Sequence, residues 1–421
     1  MSPEFPLPLF DLVTCVSGAI DLFSPLVANH HMRVASVASA IAEQMGLPPD
    51  VQNDLLLAGA LHDVGGFSSN ERADLMQFEI EAPHHHGRAG HTLLKGFPPF
   101  SRAARFVRFH HVHWDSGRGV EFENAEVAFE SHLLHLADRI SVLIRPGEPT
   151  LTQAERVREK ILSQTPEWFM PDQVQAFLDA STRDAFWMDA ASPMAGLILG
   201  RRANLPQLVL DRDSLMSLAN LFRRLIDFRS RFTARHSKGV SAAAAALARV
   251  AGFGAEDVRL MEIAGHFHDL GKLAIPSEIL EKPGRLTALE YDVMRSHAWH
   301  TYRLLETAPA LDTIRVWGAL HQERLDGSGY PFGLKGDQMP FGARIMAVAD
   351  IFAALTEVRP YRDPMPPAEL AEYLKTLAAA GKIDGDLVSL LARHYEEIDS
   401  FRREAQADSE REYLAFVEET A

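Results

Sequence analysis

Two stretches of the 421-residue chain decide its fold: residues 50–66, DVQNDLLLAGALHDVGG, and residues 256–272, EDVRLMEIAGHFHDLGK. Each sets apolar residues at three- and four-residue steps, Val51, Leu55 and Ala58 in one and Val258, Met261 and Gly265 in the other. That is the period of a helix with one buried face. Each then reaches a His-Asp pair, His62-Asp63 and His268-Asp269, and soon afterwards glycine, the residue that commonly stops helices. The pattern predicts helices over 50–64 and 255–270. Both would deliver an imidazole and a carboxylate to a buried helix end.

The two pairs belong to a longer repeat. His30 precedes His62 by 32 residues, and His236 precedes His268 by 32. His86 to His110 is 24 residues, as is His297 to His321; Asp138 follows His110 by 28 and Asp350 follows His321 by 29. Only the segment between the pair and the third histidine differs, 24 residues against 29. Histidines scattered independently do not reproduce such intervals, so the chain reads as a tandem duplication. Two domains are expected, over residues 1–200 and 205–421, with Pro193, Gly196, Gly200 and Pro206 around the boundary. Val34, Val37, Ala38, Ile41 and Met45 after His30, and Val240, Ala244, Leu247, Ala248 and Ala251 after His236, predict a further helix in each half. Strand patterns are scarce. The expected class is all-α, each half a bundle of about five core helices plus accessory helices.

Composition narrows the function. Hydrophobic residues at 47% and charged residues at 24% describe a globular chain. The net charge of −15 argues against wrapping a DNA or RNA polymer. No apolar run approaches the ~18 residues of a membrane span, and the N-terminus has no basic, signal-like region. The one cysteine, Cys15, cannot close an intramolecular disulfide. A cytoplasmic protein is the expectation.

The repeated residues carry chemistry. An aspartate next to a histidine can bridge two cations while histidines from other helices supply nitrogen ligands. That donor set suits iron, manganese, nickel, cobalt or zinc rather than calcium. His236, His268, Asp269, His297, His321 and Asp350 would hold two divalent transition metals. His30, His62, Asp63, His86, His110, His111 and Asp138 form a possible second site. Histidines outside the repeat, among them His113, His132 and His135, are read as surface or supporting residues.

The second half continues with Asp269-Leu270-Gly271-Lys272, Ile275-Pro276, Lys282-Pro283-Gly284-Arg285-Leu286-Thr287, Asp326-Gly327-Ser328-Gly329-Tyr330-Pro331 and Arg359-Pro360-Tyr361-Arg362. With the ligand set, these motifs resemble the HD-GYP subfamily of the HD phosphohydrolases. The first half resembles an HD domain without the Gly-Tyr-Pro motif; it has Trp114-Asp115-Ser116-Gly117-Arg118-Gly119 there, and Gly66 replaces the lysine. The resemblance implies tandem helical HD-type domains in a bacterial signalling enzyme. Its activity would be metal-dependent, with iron and manganese among the metals, opening a cyclic dinucleotide, above all cyclic di-GMP, to a linear dinucleotide or GMP. It also implies that Asp269 and Lys272 serve catalysis and that Tyr330, Gly329, Arg359 and Arg362 bind substrate.

Three positions depart from the subfamily. Gln322 replaces the second histidine of a pair, Phe232 stands where a subset has glutamate, and Ala353 stands where aspartate is common. Activity weakened by Gln322 and Ala353 is therefore one expectation. Two alternatives stay open: a weakly active or inactive module that binds metal and cyclic dinucleotide, and a phosphohydrolase for another nucleotide. The expected partner is the cyclic dinucleotide, with no membrane. A homodimer or a signalling protein partner is compatible with the sequence.

Overall fold

The structure, a computed structural model, describes residues 5–21, 29–66, 77–78, 84–203, 205–228, 235–357 and 363–420. The chain divides into two compact units, Pro8–Leu208 with Glu418–Ala421, and Val209–Val417 with Met1–Leu7. Described strands are no longer than four residues, so the all-α expectation holds.

In the first unit, α1 (Leu9–Asp21), α2 (His30–Gln44), α3 (Pro49–Leu61), α4 (His84–Leu94), α5 (Ser101–Arg108) and α6 (Phe129–Leu143) hold the repeated residues or pack beside them. They are followed by α7 (Ala154–Leu162), α8 (Pro171–Ala180), α9 (Asp184–Ala190) and α10 (Ala195–Arg202). The second unit runs α11 (Arg212–Asp227), α12 (His236–Val250), α13 (Ala255–Phe267), α14 (Ser277–Leu280), α15 (Ala288–Glu306), α16 (Asp312–Ala319) and α17 (Phe341–Thr356). Then come α18 (Pro367–Ala379) and α19 (Gly385–Arg393), and the chain ends in α20 (Tyr395–Thr420). No helix among the described residues is long and apolar enough to cross a membrane.

Sequence punctuation sets the helix ends. Gly46, at φ 66°, follows α2, a left-handed conformation that favours glycine. Pro49 then starts α3, where a missing N–H is harmless. The helices expected over 50–64 and 255–270 stop three residues early, at Leu61 and Phe267. The reason is local: His62 Nδ1–H donates to the Gly59 carbonyl at 2.9 Å and His268 Nδ1–H to the Gly265 carbonyl at 2.6 Å. Each histidine thus caps its own helix while its ring turns inward.

Two glycines per unit let the helices that carry the repeated histidines meet backbone to backbone. A Cβ on Gly59 would sit 2.7 Å from Ala35 Cα, and one on Gly265 only 2.4 Å from Ser241 Cα. A Cβ on Gly65 or Gly271 would come within 2.2 or 2.0 Å of the His86 or His297 carbonyl oxygen. The same close approaches recur at equivalent positions in both units, so packing was duplicated along with the ligands. Gly265→Ala is expected to destabilise the second unit by about 1–3 kcal/mol, because the contacting atoms are backbone and cannot rotate away. Thermal unfolding checks this; an unchanged melting curve would show that α12 and α13 can separate freely.

Candidate metal centres

Five helices converge in each unit. In the first, His30 opens α2, His62-Asp63 follow α3, His86 lies in α4, His110-His111 follow α5 and Asp138 lies in α6. In the second, His236 opens α12, His268-Asp269 follow α13, His297 lies in α15, His321 follows α16 and Asp350 lies in α17. All of these residues are buried except Asp350, which is partly exposed.

The central aspartate divides its two oxygens. Asp269 Oδ2 lies 3.0 Å from His268 Nε2 and 3.8 Å from His236 Nε2, whereas Oδ1 faces His297 and His321 at 3.6 and 3.7 Å. Asp63 repeats this: Oδ2 faces His62 and His30 at 3.2 and 3.8 Å, and Oδ1 faces His86 and His110 at 3.6 and 3.8 Å. The outer aspartates close one side, with Asp138 Oδ1 at 3.2 Å from His30 Nε2 and Asp350 Oδ1 at 3.2 Å from His236 Nε2. Each aspartate of a His-Asp pair is therefore placed to bridge two cations.

The nitrogens show that cations fit. His62, His110, His268, His297 and His321 each direct Nδ1 at the carbonyl three residues earlier. A carbonyl only accepts, so Nδ1 carries a proton, and wherever the ring is neutral Nε2 turns a lone pair inward. At His62 burial opposes charge, but Asp63 and Asp138 outweigh it and raise the ring to about 10. His297 Nε2 then meets His321 Nε2 at 3.3 Å, and His86 Nε2 meets His110 and His111 Nε2 at 3.2 and 3.0 Å. Between His297 and His321 both inward atoms carry lone pairs, which repel unless a cation stands between them. Several of these buried atoms also lack any hydrogen-bond partner: His30 Nε2, His62 Nε2, Asp63 Oδ1 and Asp138 Oδ1 in one unit, His268 Nε2 and Asp269 Oδ1 in the other. Leaving them so costs free energy. Both donor sets suit divalent transition ions.

Protonation follows the same logic. Burial lowers His297 to about 4 and His321 to about 3. It lowers His86 to about 3, so these rings are neutral ligands at pH 7. Burial opposes charge on His236 too, but Glu357 and Asp350 outweigh it and raise the ring to about 10. Burial likewise resists ionisation of Asp63 and Asp269, yet the surrounding imidazoles hold both carboxyls well below their ordinary value.

Where the two units differ, the second is the more exposed at its edge, Asp350 being partly exposed where Asp138 is buried. His111 is replaced by Gln322, whose amide nitrogen donates to Asp350 Oδ2 at 3.2 Å. Lys272 donates to Asp269 Oδ2 and stands at the edge of the cluster. The Tyr330 ring lies 6.3 Å from the His297 ring, at 87°, and the Arg295 guanidinium lies over it at 4.9 Å. Burial pushes the Tyr330 phenol above its ordinary range. Arg359, Arg362 and Phe232 lie outside the described residues.

Three supporting residues went unread in the sequence. Glu323, fully buried, accepts the Phe332 and Leu334 amides at 2.7 and 3.0 Å. It pins the loop that carries Tyr330. Gly329 belongs to this arrangement, because a Cβ there would strike Glu323 Cα at 2.4 Å. Glu357 accepts from His236 Nδ1 at 3.2 Å. In the first unit Ser141 stands at the position of Ala353, and its hydroxyl holds His30 Nδ1 at 3.2 Å. The polar group absent at Ala353 is thus supplied one helical turn later by Glu357. Arg295 is the third, its one sequence signal being its place two residues before His297.

A duplicated helical bundle with a doubled His/Asp cluster defines a class, and the comparisons identify it. The family model described as HD domain matches residues 14–163 and 220–387, and the chain belongs to that family. 3'3'-cGAMP-specific phosphodiesterase 1 of Vibrio cholerae is 28% identical over 406 residues, which is 94% of this chain and 93% of that protein. Cyclic di-GMP phosphodiesterase response regulator RpfG of Xanthomonas campestris pv. campestris is 43% identical over 157 residues, 36% of this chain and 40% of that one. A crystal structure of a cyclic GMP-AMP-specific phosphodiesterase of Vibrio cholerae shares the fold at a TM-score of 0.64, with 22% identity, covering 94% of this chain and 98% of its own.

Two expectations concern Glu357. Glu357→Gln should weaken metal binding in the second unit by about 10–100-fold, the usual effect of removing a carboxylate behind a ligating imidazole. A dissociation constant within twofold of the parent would remove Glu357 from that role. In the metal-free protein, raised His236 contributes stability that is complete below its unfolded value of 6.5 and lost as pH rises through about 10. Metal must displace that proton, so uptake near pH 7 should release acid and strengthen as pH rises. Calorimetry in buffers of different ionisation enthalpy measures the proton count.

Proposed function

We propose that the second unit is a metal-dependent phosphodiesterase that opens a guanine-containing cyclic dinucleotide, cyclic di-GMP or 3'3'-cGAMP, to the linear dinucleotide. The observation that carries this is Glu323 holding the Tyr330 loop beside a His/Asp cluster built for two cations. The family implies the metals, and the names of the relatives supply both substrates.

His236, His268, Asp269 and Asp350 would hold one ion; Asp269, His297 and His321 would hold the other. Such a pair, when bound, activates water at neutral pH and neutralises phosphodiester oxygens. The remaining steps belong to the chain. The Lys272 ammonium, already at Asp269, is placed to meet negative charge that builds on the phosphoryl oxygens as the P–O bond breaks. The Tyr330 ring offers a flat face for a base, and Arg295 beside it offers a cation to the second phosphodiester. Burial keeps the Tyr330 phenol protonated, so it meets the nucleotide as a hydrogen-bond donor.

One observation favours a slow version of this enzyme. Gln322 contributes an amide where the first unit has His111, and amides are weak ligands for these ions. A binding module with little turnover is the second reading.

Reconstituted protein is expected to convert cyclic di-GMP or 3'3'-cGAMP to a linear product seen by chromatography. Lys272→Ala should lower kcat by about 100-fold or more, as loss of a transition-state cation does. Glu323→Gln should raise KM about tenfold with metal content unchanged, since it loosens the loop and leaves the ligands in place. Gln322→His should raise metal occupancy, and turnover with it. Tight nucleotide binding without product in every metal form would favour the binding module.

A further inference from the structure

The first unit keeps a richer ligand set than the second, and the described groups around it differ from those of the second. Arg139 directly follows Asp138, where the second unit has Ile351 after Asp350. Its guanidinium is buried and grips Asp138 Oδ2 at 2.5 Å, leaving Oδ1 to face His30. The same guanidinium donates to the Gln77 and Phe78 carbonyls at 2.5 and 3.1 Å. The open edge that Asp350 and Lys272 give the second unit is here filled by a protein cation.

A stack of rings covers the adjoining face. His111 meets His135 at 5.9 Å; His135 stacks on His113 at 5.3 Å and 10°, and His113 on Trp168 at 4.5 Å and 22°. Phe78 also stacks on Trp168, at 5.1 Å and 13°. The loop at the place of the Tyr330 segment is also spent: the Trp114, Asp115 and Ser116 amides donate to the Trp168, Glu167 and Pro166 carbonyls at 3.1, 2.7 and 3.1 Å. Val112 stands where Glu323 would hold such a loop.

We propose that the first unit holds its own pair of transition metals in a sealed, structural centre, with Arg139 and the His135–His113–Trp168 stack as the seal. The site admits nothing larger than water or hydroxide. Its ions tie α2, α3, α4, α5 and α6 together by cancelling the repulsion among His30, His62, His86, His110 and His111. Evolution by duplication has then kept the metals in both halves but the phosphodiester face in one. The proposal stands on the first unit alone and is independent of what the second unit hydrolyses.

The test uses the full chain with the second centre removed, His268→Ala plus Asp269→Ala, reconstituted with Co2+ as a visible probe. About two ions should remain per chain, and chelation should lower the melting temperature of the first unit by about 5–10 °C. Inorganic phosphate should leave the cobalt spectrum unchanged, and Arg139→Gln in the same background should make it respond. If the double variant does not fold, the difference in metal content between the parent and His62→Ala plus Asp63→Ala gives the same count, again about two ions. Fewer than one ion, a melting temperature indifferent to chelation, or a cobalt spectrum of the His268→Ala plus Asp269→Ala chain that shifts with phosphate would each overturn the proposal.

Discussion

Imidazole nitrogens that face one another at 3.0 to 3.3 Å set the terms for the rest of this protein. The chain fixes these rings by spending the Nδ1–H of His62, His110, His268, His297 and His321 on a carbonyl three residues back. At His62 and His268 the helix stops where the histidine is, and α3 and α13 end there. They must also approach closely enough for rings from different helices to meet, which is why Gly59 and Gly265 sit at the crossings. Helix ends, glycine crossings and buried carboxylates all serve one requirement: a place where only a cation relieves the repulsion.

Much of this was legible in the sequence because the requirement is periodic. Equal intervals of 32 and 24 residues marked the ligands in both halves, and the apolar period before each His-Asp pair marked the helices. What could not be read acts across long separations or through geometry that no spacing encodes. Glu357 supports a histidine 121 residues earlier, and nothing local distinguishes it from a solvated helix-end glutamate. Ala353 looked like a loss, because the replacement comes four residues later, just past the end of the same helix. Arg139 reads as an ordinary charged residue until its burial against Asp138 is seen. Glu323 adjoins a ligand, but its partners, Phe332 and Leu334, are reached only by the fold of the loop.

The two units are a natural comparison in which the metal chemistry is held nearly constant and its surroundings vary. His111 and Gln322 are equivalent, yet the better ligand belongs to the unit with no loop to receive a nucleotide. A centre that must only hold the fold gains from every ligand it can recruit. A centre that must bind and release a phosphodiester needs an edge left open, and Asp350, Gln322 and Lys272 occupy that edge in the second unit. Tight metal binding and access to substrate pull the same six positions in opposite directions.

Arg139 and Lys272 show how little sequence that divergence takes. Both are cations touching an aspartate of the cluster, but they touch different aspartates with different reach. Lys272 contacts the bridging Asp269 from a partly exposed position, so its ammonium can turn from the carboxylate to an incoming phosphoryl oxygen. Arg139 contacts the outer Asp138 with a rigid planar fork whose remaining donors are committed to the Gln77 and Phe78 carbonyls. Freeing it would strand a buried carboxylate and two carbonyls together, and the penalty for each unpaired group adds to the next. A flexible monodentate cation at the bridge leaves a centre open to chemistry, whereas a forked one at the outer ligand closes it.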